Sequence, residues 1–349
     1  GSEMCIRDSY TPFHGAGYRL VPEILRRLGY KHIICEPEQM KIDGDFPTVK
    51  NPNPEYKEGF YLAIDLAKKN DVDLIIGTDP DADRTGIVLK DKSGEYVTLS
   101  GNQVGVLLTD YIITAKKLTN TMPAHPAVLK SIVTTEMARK VAESNGVTSC
   151  DTFTGFKFMA EKLAEYQRDG SYQYLLAFEE SYGYMMGDYV RDKDAVTACV
   201  MITEMAAYYF EQGMTLAQAL DALYEKYGFY GERTLNLVMP GLDGLEKMRA
   251  LMAQLRREPL QEIAGTKVVR MRDYQDGSVY VMGLGRMDKT PISGSNVLYF
   301  ELDDGCAFIV RPSGTEPKIK VYILGVGATR PECDERVQRY AQFAETLRG

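Results

Sequence analysis

Residues 77–84 read GTDPDADR, directly after the apolar run LII. Aspartates on alternate positions repel one another unless positive charge sits among them. In an extended loop Asp79, Asp81 and Asp83 point to one side, while Pro80 stiffens the path. Three hard oxygen ligands on one side suit Mg²⁺, which keeps open positions for water or phosphate oxygens. An EF-hand also begins D-x-D-x-D, but it needs glycine where Arg84 stands and glutamate where Lys90 stands. That reading fails. A solvated acidic turn stays open as the plain alternative.

Around this loop the chain alternates strands with helices. YRLVPEILRRLGY has helical spacing, HIICEP reads as a short buried strand, and EYKEGFYLAIDLAKKN is helical again. GIVLKDKSGEYVTL predicts a hairpin with its turn at residues 92–94, and GNQVGVLLTDYIITAKK a closing helix. A second unit follows: AVLKSIVTT, EMARKVAESNG, VTSCDTF, GFKFMAEKLAEYQRDG and YLLAF alternate in the same way, before the long helix AVTACVMITEMAAYYFEQG. Such alternation predicts parallel sheets covered by helices, with ligands at the carboxyl ends of strands. Beyond LYEKYGFYGER the pattern turns strand-rich, with helices near 244–257 and at the C-terminus. The expected fold is therefore two consecutive α/β domains with mixed or parallel sheets, then a smaller α+β domain with an antiparallel sheet.

Composition sets the outer limits. The 349 residues are 44% hydrophobic and 26% charged, with a formal net charge of −8. That length suggests two or three domains, and that charge argues against a general nucleic-acid binder. No apolar stretch reaches the roughly 20 residues needed to cross a bilayer. Six dispersed cysteines without a C-x-x-C pair fit reduced thiols in a cytoplasmic protein. The opening GSEMCIRDS does not read as the start of a domain, and residues 1–9 are expected to be a tag or artificial start.

Two further loops carry chemistry. RPSGTEPKIK, residues 311–320, joins two strand-like runs. Arg311 can grip a phosphate in bidentate fashion, Ser313 and Thr315 offer hydroxyls, and Gly314 permits close backbone approach. A hairpin turn with incidental polar residues is the alternative. FEESYGY places Glu179, Glu180 and Ser181 at a strand end, where carboxylate and hydroxyl suit the vicinal hydroxyls of a sugar; a helix-capping or surface role is its alternative. VRDKDA adds Arg191 and Lys193, and TGFK brings Lys157 to a helix start, where N–H groups favour anions.

Asp81, Asp83 and Thr85 also fit D-x-D-x-T, the aspartyl-nucleophile loop of haloacid-dehalogenase phosphatases, with GDYVRD as a possible later acidic motif. That reading gives no account of RPSGT. Taken in order, YTPFHGAGY, GTDPDADR, TGFKFM, FEESYGY…VRDKDAV and RPSGTEPKIK resemble the motifs of the α-D-phosphohexomutase superfamily, the phosphoglucomutases and phosphomannomutases.

The resemblance implies an isomerase of carbohydrate metabolism that interconverts hexose 1- and 6-phosphates through a phosphoserine and a bisphosphate intermediate. It implies Mg²⁺ on Asp79, Asp81 and Asp83, with Arg84 beside the phosphoserine. Glu179 and Ser181 would read the sugar, with Lys157, Arg191 and Lys193 near substrate. Arg311, Ser313, Gly314 and Thr315 would clamp the distant phosphate. The implied domains span 10–117, 118–229 and 230–349. The family's serine lies in a T-A-S-H-N-P-like loop of a preceding domain, and no such segment occurs here. This chain is therefore expected to lack that domain, together with the leading strand of the next, and to be inactive by itself. Ser181 is followed by Tyr182 and Gly183, where many phosphomannomutases carry Gly-His, which leans towards the phosphoglucomutase branch. A non-catalytic phosphosugar-binding module is the remaining alternative.

Overall fold

The computed structural model describes residues 7–239, 241, 243–314 and 316–348. The chain forms two compact units, residues 1–223 and 224–349.

The first unit holds two sheets. In the first, β1 (Asp8–Thr11) leads to α1 (Gly17–Arg27) and β2 (Ile33–Cys35), and α2 (Tyr61–Asn70) leads to β3 (Leu74–Thr78). β4 (Thr85–Lys90) and β5 (Tyr96–Thr98) complete it in the order β2-β1-β3-β4-β5. β1 runs parallel to β2 and β3, while β3, β4 and β5 are antiparallel. The hairpin thus turns where the sequence predicts. Phe13, Phe60, Ile64, Ile75 and Val88 fill the core between this sheet and α2.

The expectation of a missing leading strand is corrected here. β1 is present as an interior strand of the sheet, paired on both sides and buried at all four positions. It escapes a hydrophobicity reading because Asp8 and Ser9 occupy places where strands of this kind carry apolar residues. Asp8 Oδ1 and Ser9 Oγ are buried without a hydrogen-bond partner.

α3 (Gly101–Leu118) begins with a capping box in which Ser100 and Gln103 satisfy each other's backbone N–H groups. The second sheet uses β6 (Pro126–Ser131), β7 (Thr148–Thr152), β8 (Gln173–Phe178) and β9 (Tyr184–Met185) in the order β7-β6-β8-β9. β6 is parallel to β7 and β8, and β9 is antiparallel to β8. α4 (Glu136–Ser144) and α5 (Phe156–Asp169) lie between these strands in sequence, and Gly170 ends α5 in the left-handed conformation. α6 (Ala195–Glu211) follows, its N–H groups capped by Asp194. Inside β6, the fully buried Lys130 pairs with Glu136 at 2.8 Å and Asp151 at 3.0 Å. Nothing in the run AVLKSIV announces this pairing.

Helix α7 (Leu216–Tyr227) leads into the second unit. There the strands β10 (Phe229–Val238), β11 (Glu262–Ile263), β12 (Thr266–Asp273), β13 (Ser278–Val281), β14 (Gly285–Lys289), β15 (Leu298–Leu302), β16 (Ala307–Pro312) and β17 (Lys318–Gly327) are joined by antiparallel pairings. α8 (Gly244–Arg257) and α9 (Arg330–Glu345) cover a core that includes Phe300, Phe308, Ile323 and Tyr340. The overall expectation of two α/β sheets followed by an antiparallel α+β portion matches this architecture. The β13–β14 hairpin is additional to the strands read from the sequence, since β14 is exposed at every position and has no apolar alternation.

Candidate active site

β3 delivers the aspartates, but not in an extended loop. Residues 79–82 make a tight turn: the Ala82 N–H donates to the Asp79 carbonyl at 3.0 Å, and Ala82 has φ +57°. Left-handed backbone at a non-glycine residue is uncommon and marks a turn held by its surroundings. The turn brings one carboxylate oxygen each from Asp79, Asp81 and Asp83 within 4.8 Å of one another. Asp79 Oδ1 accepts from the N–H groups of Asp83 at 3.0 Å and Arg84 at 2.9 Å, which fixes its orientation. Asp79 is buried, Asp83 half-buried and Asp81 exposed.

Burial pushes the Asp79 carboxyl up to about 7, and the neighbouring Asp83 and Asp81 charges add to the rise against the pull of the Arg84 N–H. Such a group gains from a cation. Arg84 is a distant partner, its Nε 4.0 Å from Asp79 and 3.9 Å from Asp83. Three hard oxygen donors that converge on one point, one of them buried and resisting ionisation, fit a divalent cation.

The turn is also braced from the loop between β1 and α1. The Ala16 N–H donates to the Pro80 carbonyl at 2.7 Å. A Cβ on Gly15 would lie 2.3 Å from Pro80 Cα and 2.6 Å from its oxygen. Glycine is required there because two backbones meet. Gly15→Ala is expected to weaken Mn²⁺ binding about 10-fold or more, the usual cost of disturbing an outer-shell support. An unchanged Mn²⁺ titration would show that the displaced backbone does not reach the carboxylates.

The FEESYGY loop sits directly against this turn. Arg84 and Gly183 form a β-bridge, the Thr85 N–H donates to the Tyr182 carbonyl at 3.0 Å, and the Ala195 N–H donates to the Ala82 carbonyl at 3.1 Å. Tyr182 has φ +69°. It closes a turn in which the Glu179 N–H donates to the Gly183 carbonyl at 3.0 Å. Glu179 is buried and accepts from the Gly155 N–H. Burial, then the Glu180 charge, pushes its carboxyl up to about 7, while the Gly155 N–H, Lys193 and Arg84 pull it down. Glu180 is held apart from it by the Thr134 hydroxyl at 3.1 Å. Ser181 is half-buried beside Tyr182.

The remaining sequence candidates divide. Lys193 comes to the aspartates, its Nζ 2.5 Å from Asp83 Oδ2. Arg191 instead donates to Gln167 on α5, and Lys157 is exposed over the Phe158 ring. No contact brings either to the aspartate turn among the described residues. In the second unit, Arg311 and Pro312 end β16 and Lys318 and Lys320 lie at the start of β17, with Arg311 paired to Lys320. The Ser313 N–H donates to the Lys318 carbonyl at 2.9 Å, its hydroxyl accepts from the Glu316 N–H at 3.3 Å, and Gly314 is exposed. Arg311 reaches the Tyr322 hydroxyl at 3.4 Å. Thr315 lies outside the described residues. Sequence reasoning passed over Gly15, Ala82 and Thr134, whose roles arise only where distant backbones meet.

Comparison with known proteins identifies the family. Residues 6–94 match phosphoglucomutase/phosphomannomutase alpha/beta/alpha domain II, and residues 100–227 match alpha/beta/alpha domain III. The chain belongs to the phosphoglucomutase/phosphomannomutase family. It is 38% identical over 314 residues to a phosphoglucomutase of Staphylococcus saprophyticus, covering 89% of this chain and 56% of the relative. A Staphylococcus aureus phosphoglucomutase is 37% identical over 331 residues, covering 95% and 58%. The chain thus spans just over half the length of these relatives.

Among solved structures, Paramecium parafusin, a phosphoglucomutase in its open form, superposes with a TM-score of 0.66 at 17% identity, covering 98% of this chain and 58% of that one. The Aspergillus fumigatus N-acetylphosphoglucosamine mutase, in complex with GlcNAc-6P and magnesium, does so with a TM-score of 0.56 at 13% identity, covering 98% and 62%. At these identities the likeness is one of fold. Among the described residues, no helix is long and apolar enough to cross a membrane. Family membership leaves the aspartyl-nucleophile reading of Asp81 without support.

Proposed function

We propose that this chain supplies the metal seat, the sugar-recognition loop and a phosphate-binding loop of a phosphohexomutase that interconverts glucose 1-phosphate and glucose 6-phosphate. The observation that carries the reading is the backbone stitching of the DADR turn to the ESYG loop, which holds a cation site and a sugar-reading carboxylate in one rigid frame. Asp79, Asp81 and Asp83 would hold Mg²⁺, which when bound neutralises charge on a transferring phosphoryl group. Asp79 is oriented for this by two backbone N–H groups. Glu179 and Ser181 accept and share hydrogen bonds with the sugar hydroxyls, and Glu179 is pre-aimed by the Gly155 N–H. Arg311, Ser313, Gly314 and Thr315 would grip a sugar phosphate through guanidinium, hydroxyl and backbone donors. Lys157 and Arg191 lie along the same unit as cations for substrate phosphate.

The family reaction, as the resemblance implies, passes a phosphoryl group from a serine to the sugar and back by way of a bisphosphate. The sequence holds no T-A-S-H-N-P-like loop. The 349-residue chain by itself is therefore expected to bind sugar phosphates without interconverting them. The check is a coupled assay of glucose 1-phosphate conversion with Mg²⁺ and glucose 1,6-bisphosphate, alongside calorimetry of the same ligands. Robust turnover would refute the inactivity of this chain. Absence of heat with any sugar phosphate, in the parent chain and Arg311→Ala alike, would refute the binding roles.

A further inference from the structure

Lys193 occupies a position that its sequence context does not explain. Its ammonium stands 2.5 Å from Asp83 Oδ2 and 3.8 Å from Asp192 Oδ1. Asp83 is one of the three carboxylates whose oxygens converge on the metal seat. The only other cation near the turn is Arg84, at 3.9–4.0 Å, among the described residues. Lys193 is therefore the close counter-charge of the cluster.

Its aliphatic stem lies over Gly183. A Cβ there would meet the Lys193 stem at 2.8 Å and the Phe156 ring at 2.8 Å, so the track exists only because residue 183 is glycine. The ammonium also faces the Phe156 ring at 5.9 Å. The side chain is 22% exposed, and a lysine stem has four rotatable carbons along which its ammonium can be re-aimed.

We infer that Lys193 is a tethered placeholder cation, which holds Asp83 in the metal-free chain and is expelled by a divalent ion into an anion-binding position. The inference rests on the proposed metal seat. A divalent ion at ligand distance from Asp83 and an ammonium on the same carboxylate repel across a few ångströms, so the two compete rather than coexist. Once released, Lys193 is an unpaired ammonium beside the sugar loop, available to a phosphate oxygen. Metal loading and phosphosugar binding are then positively linked, and the linkage is reciprocal. The device explains why a lysine stands here: an arginine, planar and forked, would hold the carboxylate in a bidentate grip that is harder to displace.

Two measurements on the full 349-residue chain test this, neither of them a turnover rate. Mn²⁺ titration followed by electron paramagnetic resonance should show Lys193→Met binding about fivefold tighter than the parent, the effect expected when a mostly buried ion pair no longer competes. Amine-reactive labelling of the parent, read by peptide mass spectrometry, should show Lys193 modified several-fold faster in saturating Mg²⁺ than in chelator. Tighter binding with unchanged or slower labelling would mean a general charge effect and would overturn the exchange. So would normal Mn²⁺ binding that Lys193→Met leaves unaltered. Failure of both proteins to bind Mn²⁺ would overturn the metal seat itself, an outcome distinct from the other two.

Discussion

Replacing Asp79 by asparagine should stabilise the metal-free chain at neutral pH while removing its affinity for a divalent cation. Asp79 is the buried member of the aspartate turn, and burial with two flanking carboxylates lifts its carboxyl to about 7 from an ordinary value of 3.8. Because the folded value lies above the unfolded one, the protonated form is the one folding favours. The stability tied to that proton is fully present below about pH 4 and is lost as pH rises through about 7. A shift of this size corresponds to a few kcal/mol at neutral pH, as an order of magnitude. Asparagine keeps an oxygen to accept from the Asp83 and Arg84 N–H groups, carries no charge, and turns an amide donor towards the remaining carboxylates. Urea denaturation of Asp79→Asn in chelator should therefore give a higher midpoint at pH 7.5 and little change at pH 4.5. Mn²⁺ affinity should fall by more than about 100-fold, beyond the loss typical of an outer-shell change. A variant less stable than the parent at pH 7.5 would show that the carboxylate is not strained in the fold. Undiminished Mn²⁺ binding would remove Asp79 from the metal seat.

This opposition of stability and function also marks where the sequence is legible. The spacing in GTDPDADR is enough to place three oxygens together, and the flanking apolar run is enough to make them end a strand. The conformation that joins them is not written in the same way. Ala82 sits at φ +57°, where a turn-forming sequence would offer glycine or asparagine, so pattern alone favours an extended path. Fold class was legible because helices such as α3 and α6 carry long apolar runs with ordinary caps, features that local physics dictates. Long-range pairings were not. Lys193 and Asp83 are brought together by the β-bridge of Arg84 to Gly183, and Lys130 finds its two carboxylates only after β6, β7 and α4 pack. Residues whose role is to leave space, such as Gly15 and Gly183, give no signal until the neighbouring backbone or side chain is known.

The strand the sequence concealed gives the largest stability effect. Asp8 lies on an interior strand of a mixed sheet, paired in parallel with Ile33 on one side and Leu74 on the other, and is 2% exposed. Burial, then the charge of Asp73, raises its carboxyl to about 8 from 3.8. The sign is that of Asp79: the stability tied to its proton is complete below about pH 4 and lost as pH rises through about 8. On the scale of one pKa unit per 1.36 kcal/mol the loss is roughly 6 kcal/mol at most. Asp8→Val replaces the carboxyl with a β-branched side chain that suits a strand buried on both faces, and removes an oxygen that has no partner. The variant should unfold at a higher urea concentration than the parent at pH 8, by the equivalent of several kcal/mol, with the gap closing towards pH 4. Asp8→Asn separates charge from polarity: it should recover the pH-dependent part alone, because its amide is still buried. Equal pH dependence in parent and Asp8→Val would mean that the carboxylate is solvated in the folded chain. That result would place β1 outside the central position between β2 and β3, since a strand paired on both sides and covered on both faces leaves Asp8 no route to water.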